Sequence, residues 1–335
     1  MLTIQNIQDK YTWENFLNKN YQGFFPLFQA WQWGEVQKSL GFEVFRIGVF
    51  DKKKLVGIAQ IVEVKAKRGH YLHVRQGPAI ENKKHYWSYF FQELLKFGKE
   101  KGVSFIRISP LIPKEENISF PFSTIAAPIH NMDAEVCWIL DVRQSEEELL
   151  KNMRKSHRYL IKKAQGMPIK ITQSKSVKDL EKFLPLYKEL AKKKHFVAHK
   201  GLKEELEIFS KDNLCELFLA EYEGRIICGA LVDFVGDMGI YRHSASDDAY
   251  RHIPAMYILQ WQIIAECKKR GKKMYNFWGI ADTEQKKHPW YGLTLFKTGF
   301  GGEKKEFMHA RDIILKPSYG KTFAIEYITK LKKGY

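Results

Sequence analysis

An unusual segment near the end of the sequence, FWGIADTEQKKHPWYGLTLFKTGFGG, occupies residues 277–302. Its second apolar run contains one cation, Lys297, between Phe296 and Thr298. The run predicts a strand, in which alternation turns Lys297 to the face opposite both neighbours. Burying a lysine is costly unless its ammonium group reaches water or an anion. Two interpretations therefore remain: an edge-strand lysine that extends to solvent, or a lysine that meets negative charge.

Three glycines of this segment, and two histidines earlier in the chain, each have more than one interpretation. Gly299, Gly301 and Gly302 predict a bulge or turn, and close approach of the backbone to a substrate is the alternative. His195 and His199 have the i, i+4 spacing of zinc ligands on a helix. Because no glutamate follows His195 and a third ligand is missing, we predict no metal site.

The charge of the chain suggests a polyanionic partner. Its 335 residues include 55 Lys and Arg against 38 Asp and Glu, a net charge of +17. Such an excess favours RNA, DNA, an acidic membrane surface or a phosphorylated substrate. Lysines spread over solvated faces are the alternative.

Composition also limits the class of protein. A hydrophobic fraction of 44% is that of a globular chain, and its length suffices for two domains. No apolar stretch approaches the roughly 18 residues that span a bilayer, and no secretory signal is visible at the start. Four scattered cysteines without a CxxC pair predict neither a disulfide framework nor a thiolate zinc site. We therefore expect a cytoplasmic protein.

The order of elements is repeated along the chain. Apolar patterns predict strands at 42–50, 55–64 and 70–74, a helix at 86–102 and a strand at 103–109. The same order recurs as strands at 217–222, 226–234 and 238–244, a helix at 257–271 and a strand at 272–278. Both helices end in glycine, Gly102 and Gly271, as expected where φ is positive. The repeat predicts a duplicated α/β unit.

Helices are predicted between the two repeats. A linker helix over residues 145–165 begins at Ser145, and Glu148 completes a capping-box pattern. Further helices are predicted at 178–195 and 203–212.

An antiparallel hairpin that leads into a helix and a parallel return strand is the topology of GNAT acyltransferases. These enzymes bind the pyrophosphate of acyl-coenzyme A on a glycine-containing loop at the helix start, where backbone N–H groups meet the anion. In the second repeat this loop is RHIPAMY, with Pro254 and Met256 where glycines would be needed. Since proline lacks the N–H donor, we expect neither coenzyme A nor another cofactor.

Three motifs in order resemble the Fem-type (FemABX) peptidoglycan bridge-forming aminoacyltransferases, in their compact form without a helical-hairpin insertion. They are FQAWQWGEVQKSLGFEV, ILDVRQSEEELLKNMRKSHRYLIKKA and the pair YNFWGI and LFKTGFGG. The resemblance implies an α/β fold of two tandem GNAT-like domains with mixed central sheets. The expected domains are 1–144, with 310–335 packing back on it, and 145–309.

The resemblance also implies a reaction and partners. Family members transfer an amino acid from aminoacyl-tRNA to the third-residue side-chain amine of a MurNAc-pentapeptide precursor, which is UDP-linked or lipid-linked. Both partners carry phosphates, in keeping with the charge. We accordingly expect a monomer that uses these two substrates and contacts the inner membrane face peripherally.

Site residues follow from the same resemblance. Lys297 is the expected catalytic residue, a donor to the oxyanion that forms when the amine attacks the ester. The expected substrate-binding residues are Trp33, Lys38, Lys200, Tyr241, Trp278, Gly279 and Phe296. Basic residues of the linker form either a solvated face or a track for the tRNA acceptor stem: Lys151, Arg154, Lys155, Arg158, Lys162 and Lys163.

Other functions remain open at this point. A related tRNA-dependent enzyme could modify a protein N-terminus or a lipid, and a GNAT-like acyltransferase is a further alternative. A non-catalytic RNA-binding module belongs to a different class, and substitution of Lys297 would leave its behaviour intact.

Overall fold

The structure is a computed structural model that describes residues 1–66, 69–116, 120 and 122–334. Its strands are β1 (Leu2–Asn6), β2 (Glu43–Asp51), β3 (Lys54–Ala66), β4 (Gly69–Arg75), β5 (Ala79–Ile80), β6 (Phe105–Ser109), β7 (Ile125–Ala126), β8 (Val136–Asp141), β9 (Ile169–Ser174), β10 (Cys215–Tyr222), β11 (Arg225–Val235), β12 (Met238–Ser246), β13 (Met274–Gly279), β14 (Glu303–Glu306) and β15 (Arg311–Ile314). Its helices are α1 (Lys10–Asn20), α2 (Trp31–Ser39), α3 (Lys84–Glu100), α4 (Glu146–Asn152), α5 (Lys155–Gln165), α6 (Val177–Lys193), α7 (Leu202–Lys211), α8 (Ala255–Lys269), α9 (Tyr291–Thr298) and α10 (Tyr319–Lys332).

The chain divides into two compact units, each assembled from separate stretches. Unit 1 comprises Met1–Val136, Gly279–Tyr291 and Lys305–Tyr335, and unit 2 comprises Cys137–Trp278 and Gly292–Lys304. The terminal residue Tyr335, part of the predicted stretch 310–335, lies outside the described residues. The predicted boundary between residues 144 and 145 falls after β8. Strand β8 pairs with β13 and β14, in the sheet of unit 2.

Unit 1 is built on a mixed sheet with the order β1-β2-β3-β4-β6-β15-β7, and β5 pairs with β3. Strand β4 runs parallel to β6, whereas β15, from late in the chain, is antiparallel to β6. Helix α3 packs Phe90, Phe91 and Leu94 against this sheet, in a core that also contains Ile106 and Ile313. The first unit therefore depends on residues from both ends of the chain.

The second sheet has the order β14-β8-β13-β12-β11-β10-β9. Strands β10, β11 and β12 are antiparallel neighbours, and β12 is parallel to β13. Helix α8 contributes Leu259, Ile263 and Ile264 to the core of unit 2, where they pack with Phe218 and Phe277. The apolar patterns that predicted these elements are thus the faces that this core buries.

The predicted repeat is confirmed in detail. The order β2-β3-β4-α3-β6 recurs as β10-β11-β12-α8-β13, and each copy closes with a parallel pair. The glycines after α3 and α8, Gly102 and Gly271, both have φ of +67°, a conformation that glycine adopts without steric cost. The helices predicted at 178–195 and 203–212 are confirmed as α6 and α7.

The linker predicted as one helix is instead two helices. The capping box at its start is confirmed, because the Ser145 and Glu148 side chains each bond the other's backbone N–H. The helix breaks at Met153 and Arg154, whose ψ angles are 155° and 144°. At the break the backbone N–H of Arg154 donates to the Gly299 carbonyl at 2.9 Å. A tertiary hydrogen bond thus replaces the helical one.

Candidate active site

Helix α9 has an inverted distribution of side chains. Lys297 is its one buried residue, only 4% exposed, whereas Leu293 and Leu295 are 41% and 40% exposed. The strand predicted around Lys297 is therefore wrong, since this segment is helical. A helix oriented by hydrophobicity alone would bury its leucines and expose its lysine. We conclude that α9 is oriented by something other than burial of apolar area.

The ammonium group of Lys297 is buried near an aromatic ring. Its Nζ atom is 5.9 Å from the centre of the Tyr241 ring on β12. Burial lowers the pKa of Lys297 to about 7, and the nearby Cys137 only partly opposes the shift. Negative charge that develops close by would favour the charged form of the lysine. This is the electrostatic property expected of an oxyanion donor.

Two side chains of the linker hold the end of α9. The Arg154 guanidinium donates to the Leu295 carbonyl at 2.9 Å and to the Thr298 hydroxyl at 2.8 Å. The Nε2 atom of His157, on α5, donates to the Phe296 carbonyl at 2.9 Å. The last carbonyl groups of a helix have no partner within the helix, and these bonds satisfy them. They also fix the segment that carries Lys297.

The glycines after α9 are explained by packing. A Cβ atom on Gly299 would lie 2.0 Å from the His157 ring. Gly302, with φ of +99°, lies against the Ile139 backbone, whose carbonyl oxygen would be 2.2 Å from an added Cβ. Gly301 has φ of +82°, and its carbonyl accepts a hydrogen bond from the Trp138 indole at 2.6 Å. Close packing within the protein at Gly299 and Gly302, and the positive φ of Gly301 and Gly302, thus account for these glycines.

A cavity of about 320 Å³ opens in unit 2 beside Lys297. Tyr241 connects the two, because its ring lines the cavity and also lies near the ammonium group. Phe296 of α9 lines the cavity as well, so the predicted residues Tyr241, Phe296 and Lys297 are brought together. The other lining residues are Leu190, Ile227, Cys228, Ser244, Ala245, Ser246, Asp247, Tyr250, Arg251, Ile253, Pro254, Ala255, Met256, Tyr257 and Leu293. Its volume is within the range of small-molecule sites.

The cavity includes the start of α8, where a GNAT enzyme would bind pyrophosphate. Pro254 is the N-cap residue of α8 and makes no side-chain capping bond. Met256 accepts a hydrogen bond from the Tyr241 hydroxyl at 3.4 Å and helps to fill the wall. Burial raises the pKa of Tyr241, so its hydroxyl stays protonated at neutral pH. The lining is thus aromatic and apolar where a pyrophosphate site presents backbone donors.

Trp278, at the end of β13, has a strained backbone. Its φ is +67°, which is rare for a bulky residue, and its N–H donates to the Asn276 side chain at 2.8 Å. The Arg242 guanidinium stacks on the indole, 4.7 Å from its centre. The following residue, Gly279, has ordinary space around it, since an added Cβ would meet only Trp290 and a carbonyl at 3.8–4.0 Å. Strain of this kind is often found at functional sites.

Arg242 is also the centre of a buried charged cluster. Its Nε atom is 3.1 Å from Glu205 and 3.4 Å from Asp233, and both carboxylates are fully buried. Burial opposes ionisation of Glu205, but Arg242 and His243 hold its pKa well below the usual value. Burial and the charge of Glu205 raise the pKa of Asp233 well above its usual value. One ionised carboxylate therefore balances the arginine.

Three side chains of this cluster could ligate a metal ion. His199, Glu205 and His243 offer atoms that lie within 4.8 Å of one another. Because the Arg242 guanidinium already neutralises Glu205 at 3.1 Å, a divalent ion would add uncompensated positive charge to a buried site. We therefore assign no metal to these residues. His195, the other histidine of the predicted pair, is exposed.

The remaining predicted substrate residues are dispersed. Lys200 is exposed in the loop before α7, in unit 2. Lys38 is exposed on α2 in unit 1, where it pairs with Glu35 at 3.1 Å. Trp33 is buried in unit 1, with its ring 4.8 Å from the Phe28 ring, and serves the core there.

The basic linker residues separate into two groups. Arg158, like Arg154, has a structural role, because its guanidinium donates to the carbonyls of Leu150, Lys151 and Met153 at the end of α4. The lysine side chains are exposed on α4 and α5: Lys151, Lys155, Lys162 and Lys163. A phosphate track on this surface would therefore consist of lysines.

Two features near the candidate site are not predicted by the sequence: the bond made by His157 and the charged cluster around Arg242. His157 was passed over because its role depends on a carbonyl of α9 far away in sequence. The cluster around Arg242 was missed because its acidic members lie on other elements. One local indication did exist: Glu205 falls on the apolar face of α7, beside the buried Leu206. A carboxylate at such a position needs a buried partner.

A family model for the FemAB family matches residues 9–120, 116–222 and 211–322. The chain belongs to the FemAB family. The resemblance inferred from the three motifs is thereby confirmed.

Curated relatives of this FemAB-family chain are staphylococcal enzymes. Lipid II:glycine glycyltransferase from Staphylococcus epidermidis (strain ATCC 12228 / FDA PCI 1200) is 31% identical over 110 residues, which is 32% of this chain and 26% of that protein. The enzyme of the same name from Staphylococcus aureus is 24% identical over 251 residues, 74% of this chain and 53% of that protein. The chain thus spans about half or less of the length of these relatives.

Solved structures agree with the fold. The crystal structure of FemX superimposes with a TM-score of 0.81 at 17% identity, over 95% of this chain and 99% of that one. A tandem GNAT protein from the clavulanic acid biosynthesis pathway gives 0.59 at 10% identity, with coverage of 95% and 99%. The expected α/β fold of tandem GNAT-like domains with mixed sheets is confirmed. Throughout the described residues, every helix is too short or too polar to cross a membrane.

Proposed function

We propose that this protein transfers an amino acid from aminoacyl-tRNA to the third-residue side-chain amine of a MurNAc-pentapeptide precursor, UDP-linked or lipid-linked. The observation that carries the proposal is Lys297, buried on a helix that exposes its leucines and placed beside an aromatic cavity. Membership of the FemAB family supports it, as does similarity to proteins named lipid II:glycine glycyltransferase.

The proposed reaction is aminolysis of an ester. The acceptor amine attacks the ester carbonyl, a C–N bond forms, and the carbonyl oxygen becomes an oxyanion. The Lys297 ammonium group stabilises that oxygen. The C–O bond to the tRNA ribose then breaks, and the amine proton leaves with the ribose oxygen. Among the described residues that line the cavity, Asp247 is the one carboxylate and none is a histidine. Asp247 is paired with Arg225 at 2.9 Å, so substrate-assisted proton transfer completes our scheme.

The cavity is proposed to bind the aminoacyl end of the tRNA. Tyr241, Tyr257 and Phe296 provide aromatic faces, on which an unpaired base can stack. The exposed lysines of α4 and α5 would contact phosphates of the acceptor stem without reading its sequence. Lys38, Lys200 and Trp278 stay proposed contacts of the acceptor precursor.

A transfer assay tests this proposal. The protein is incubated with a mixture of charged tRNAs and either UDP-MurNAc-pentapeptide or its lipid-linked form, and the products are weighed by mass spectrometry. We expect a mass gain of one or more amino acid residues on the muropeptide. Lys297→Met should lower the rate about 100- to 1000-fold, as loss of an oxyanion donor does.

Lys272→Met is the matched control for the loss of a lysine. Burial lowers the pKa of Lys272 too, but its Nζ atom donates to the Gly236 carbonyl at 2.7 Å in the turn between β11 and β12. Its removal should leave the transfer rate within about threefold of wild type. Peptides, phosphatidylglycerol and acetyl-coenzyme A with an amine are assayed in parallel. Turnover of any of these without muropeptide transfer would overturn the proposed acceptor.

A further inference from the structure

Helix α10 is attached to unit 1 by its polar residues. Its buried residues are Tyr319, Thr322 and Glu326. Glu326 accepts a hydrogen bond from the Arg107 guanidinium at 2.7 Å, and Arg107 also pairs with Asp312 at 2.7 Å. The Tyr319 hydroxyl donates to Asp312 at 2.8 Å. The Tyr319 ring also packs against the Phe105 ring at 4.9 Å. The inward face of α10 therefore joins one aromatic contact to an ion-pair network, unlike the wholly apolar face of an ordinary amphipathic helix.

The outward face of α10 is apolar. Tyr327, Ile328 and Leu331 are 47%, 50% and 58% exposed. Phe323 is exposed as well, and its ring stacks with that of Tyr327 at 6.0 Å. At 100° per residue these four side chains and Ala324 occupy one arc of about 140°. We call this set the α10 apolar face: Phe323, Ala324, Tyr327, Ile328 and Leu331.

Lysines border the α10 apolar face on both sides. The same helical spacing places Lys321 and Lys332 beyond one edge of the arc and Lys330 beyond the other. The helix contains one carboxylate, Glu326, and it is buried against Arg107. The exposed surface of α10 thus combines apolar side chains with positive charge and no acidic group.

We infer that α10 is an interfacial helix that lies on an anionic lipid bilayer, with the α10 apolar face among the acyl chains and its lysines at the phosphates. An apolar arc with lysines at its borders is the pattern of helices that bind in the plane of a membrane. Anionic headgroups attract such lysines, so charge and apolar burial act on the same face. Pairing with a second copy of α10 would instead bring like charges together.

Membrane binding bears on the substrate. If the transfer reaction is as proposed, α10 favours the lipid-linked precursor over the UDP-linked one, and this extension rests on the proposed function. Vesicle binding is measured without tRNA or muropeptide. A failure to bind vesicles therefore refutes only the α10 inference, and a failure to transfer an amino acid refutes only the proposed function.

Vesicle co-sedimentation tests the inference. The full chain is mixed with phosphatidylcholine vesicles that contain either no phosphatidylglycerol or about 30% of it, in low and high salt. We expect partition onto the anionic vesicles that falls as salt rises. The double variant Ile328→Glu/Leu331→Glu should lower the partition coefficient at least tenfold. Neutralising Lys321, Lys330 and Lys332 to Gln should lower it about fivefold per charge.

Matched controls distinguish binding by the α10 apolar face from nonspecific binding through any exposed aromatic side chain or through net charge. The first control, Tyr11→Glu, changes a side chain that is 77% exposed on α1. The second control changes three exposed lysines of α6 and α7 to Gln, which removes the same total charge as the triple change on α10: Lys188, Lys192 and Lys211. Both controls should bind vesicles as wild type does. An absence of binding to anionic vesicles, or equal binding by Ile328→Glu/Leu331→Glu, overturns the inference. So does light scattering that reveals a dimer which Ile328→Glu dissociates.

Discussion

Tyr241 and Lys297 come from a strand and a helix distant in sequence, yet the lysine Nζ atom lies 5.9 Å from the tyrosine ring. The same ring forms part of the cavity wall. It also replaces bulk water beside the lysine, and burial lowers the pKa of Lys297 to about 7. With a pKa this close to neutral pH, the fraction of Lys297 that is protonated rises when negative charge develops nearby.

Lys297→Met should stabilise the protein at low pH. The folded-state pKa of about 7 is below the ordinary value of 10.5, so the cost of burying the charged lysine is fully present below pH 7. That cost is relieved as the pH rises from about 7 to 10.5. We expect Lys297→Met to raise the free energy of unfolding by roughly 2–4 kcal/mol at pH 6 and by less at pH 9.5. Urea denaturation at both pH values measures this, with exposed Lys203→Met as control.

The pH dependence of transfer should show the same titration. The proposed reaction needs a charged Lys297 and a neutral acceptor amine, whose pKa is near 10.4. The logarithm of the single-turnover rate should rise with unit slope up to about pH 7 and then level off, because each gain in neutral amine is matched by loss of charged lysine. In Lys297→Arg the charge persists, so the rise should continue above pH 7. A wild-type rate that rises with unit slope to pH 9 contradicts this scheme.

Gly299→Ala should displace α9. The new methyl group would lie 2.0 Å from the His157 ring, so either the ring or the helix end must move. We expect a loss of stability of about 1–3 kcal/mol and a lower transfer rate, because the same shift moves Lys297. Gly292→Ala, on the same helix with nothing within 4 Å of the added carbon, should be neutral or slightly stabilising. Equal effects of the two substitutions would refute the packing argument.

Arg154 and the linker lysines should differ in kinetics. Arg154→Gln removes two hydrogen bonds to α9, so it should lower kcat and the melting temperature. The double variant Lys155→Gln/Lys162→Gln should raise the Michaelis constant for aminoacyl-tRNA several-fold and leave the muropeptide constant unchanged. Steady-state kinetics with each substrate varied in turn separate the two. If the double variant affects the muropeptide alone, the tRNA track is wrong.

The duplicated order of elements could be predicted because each helix and strand of the two repeats has its own local apolar periodicity. Gly102 and Gly271 marked matching helix ends for the same local reason. Long-range contacts caused the errors. The run around Lys297 reads as a strand in isolation, but its carbonyls are satisfied by Arg154 and His157 from the linker. The break between α4 and α5 depends on the Gly299 carbonyl, which no local pattern reveals.

The part of the candidate site that could be predicted from sequence is the part where a residue type is unusual for its surroundings. A single cation among apolar residues singled out Lys297, and the structure brings Tyr241 and Phe296 to the same cavity. Trp33 lies in the core of unit 1. From sequence alone, a tryptophan that packs in a core cannot be told from one that binds a ligand. Arg154 and Arg158 could not be told from the exposed lysines by charge, since their hydrogen bonds to carbonyls are tertiary.

The place of β15 in the first sheet has a consequence for biosynthesis. Arg107 is synthesised early, but its partner Asp312 follows only after all of unit 2, which ends at Lys304, has been made. Until then the nascent sheet presents β6 as an open edge with an uncompensated guanidinium group. Unit 2 is also completed late, by Gly292–Lys304, but its main stretch Cys137–Trp278 is continuous in sequence. On the ribosome, the sheet of unit 1 therefore cannot be completed until Asp312 has been synthesised.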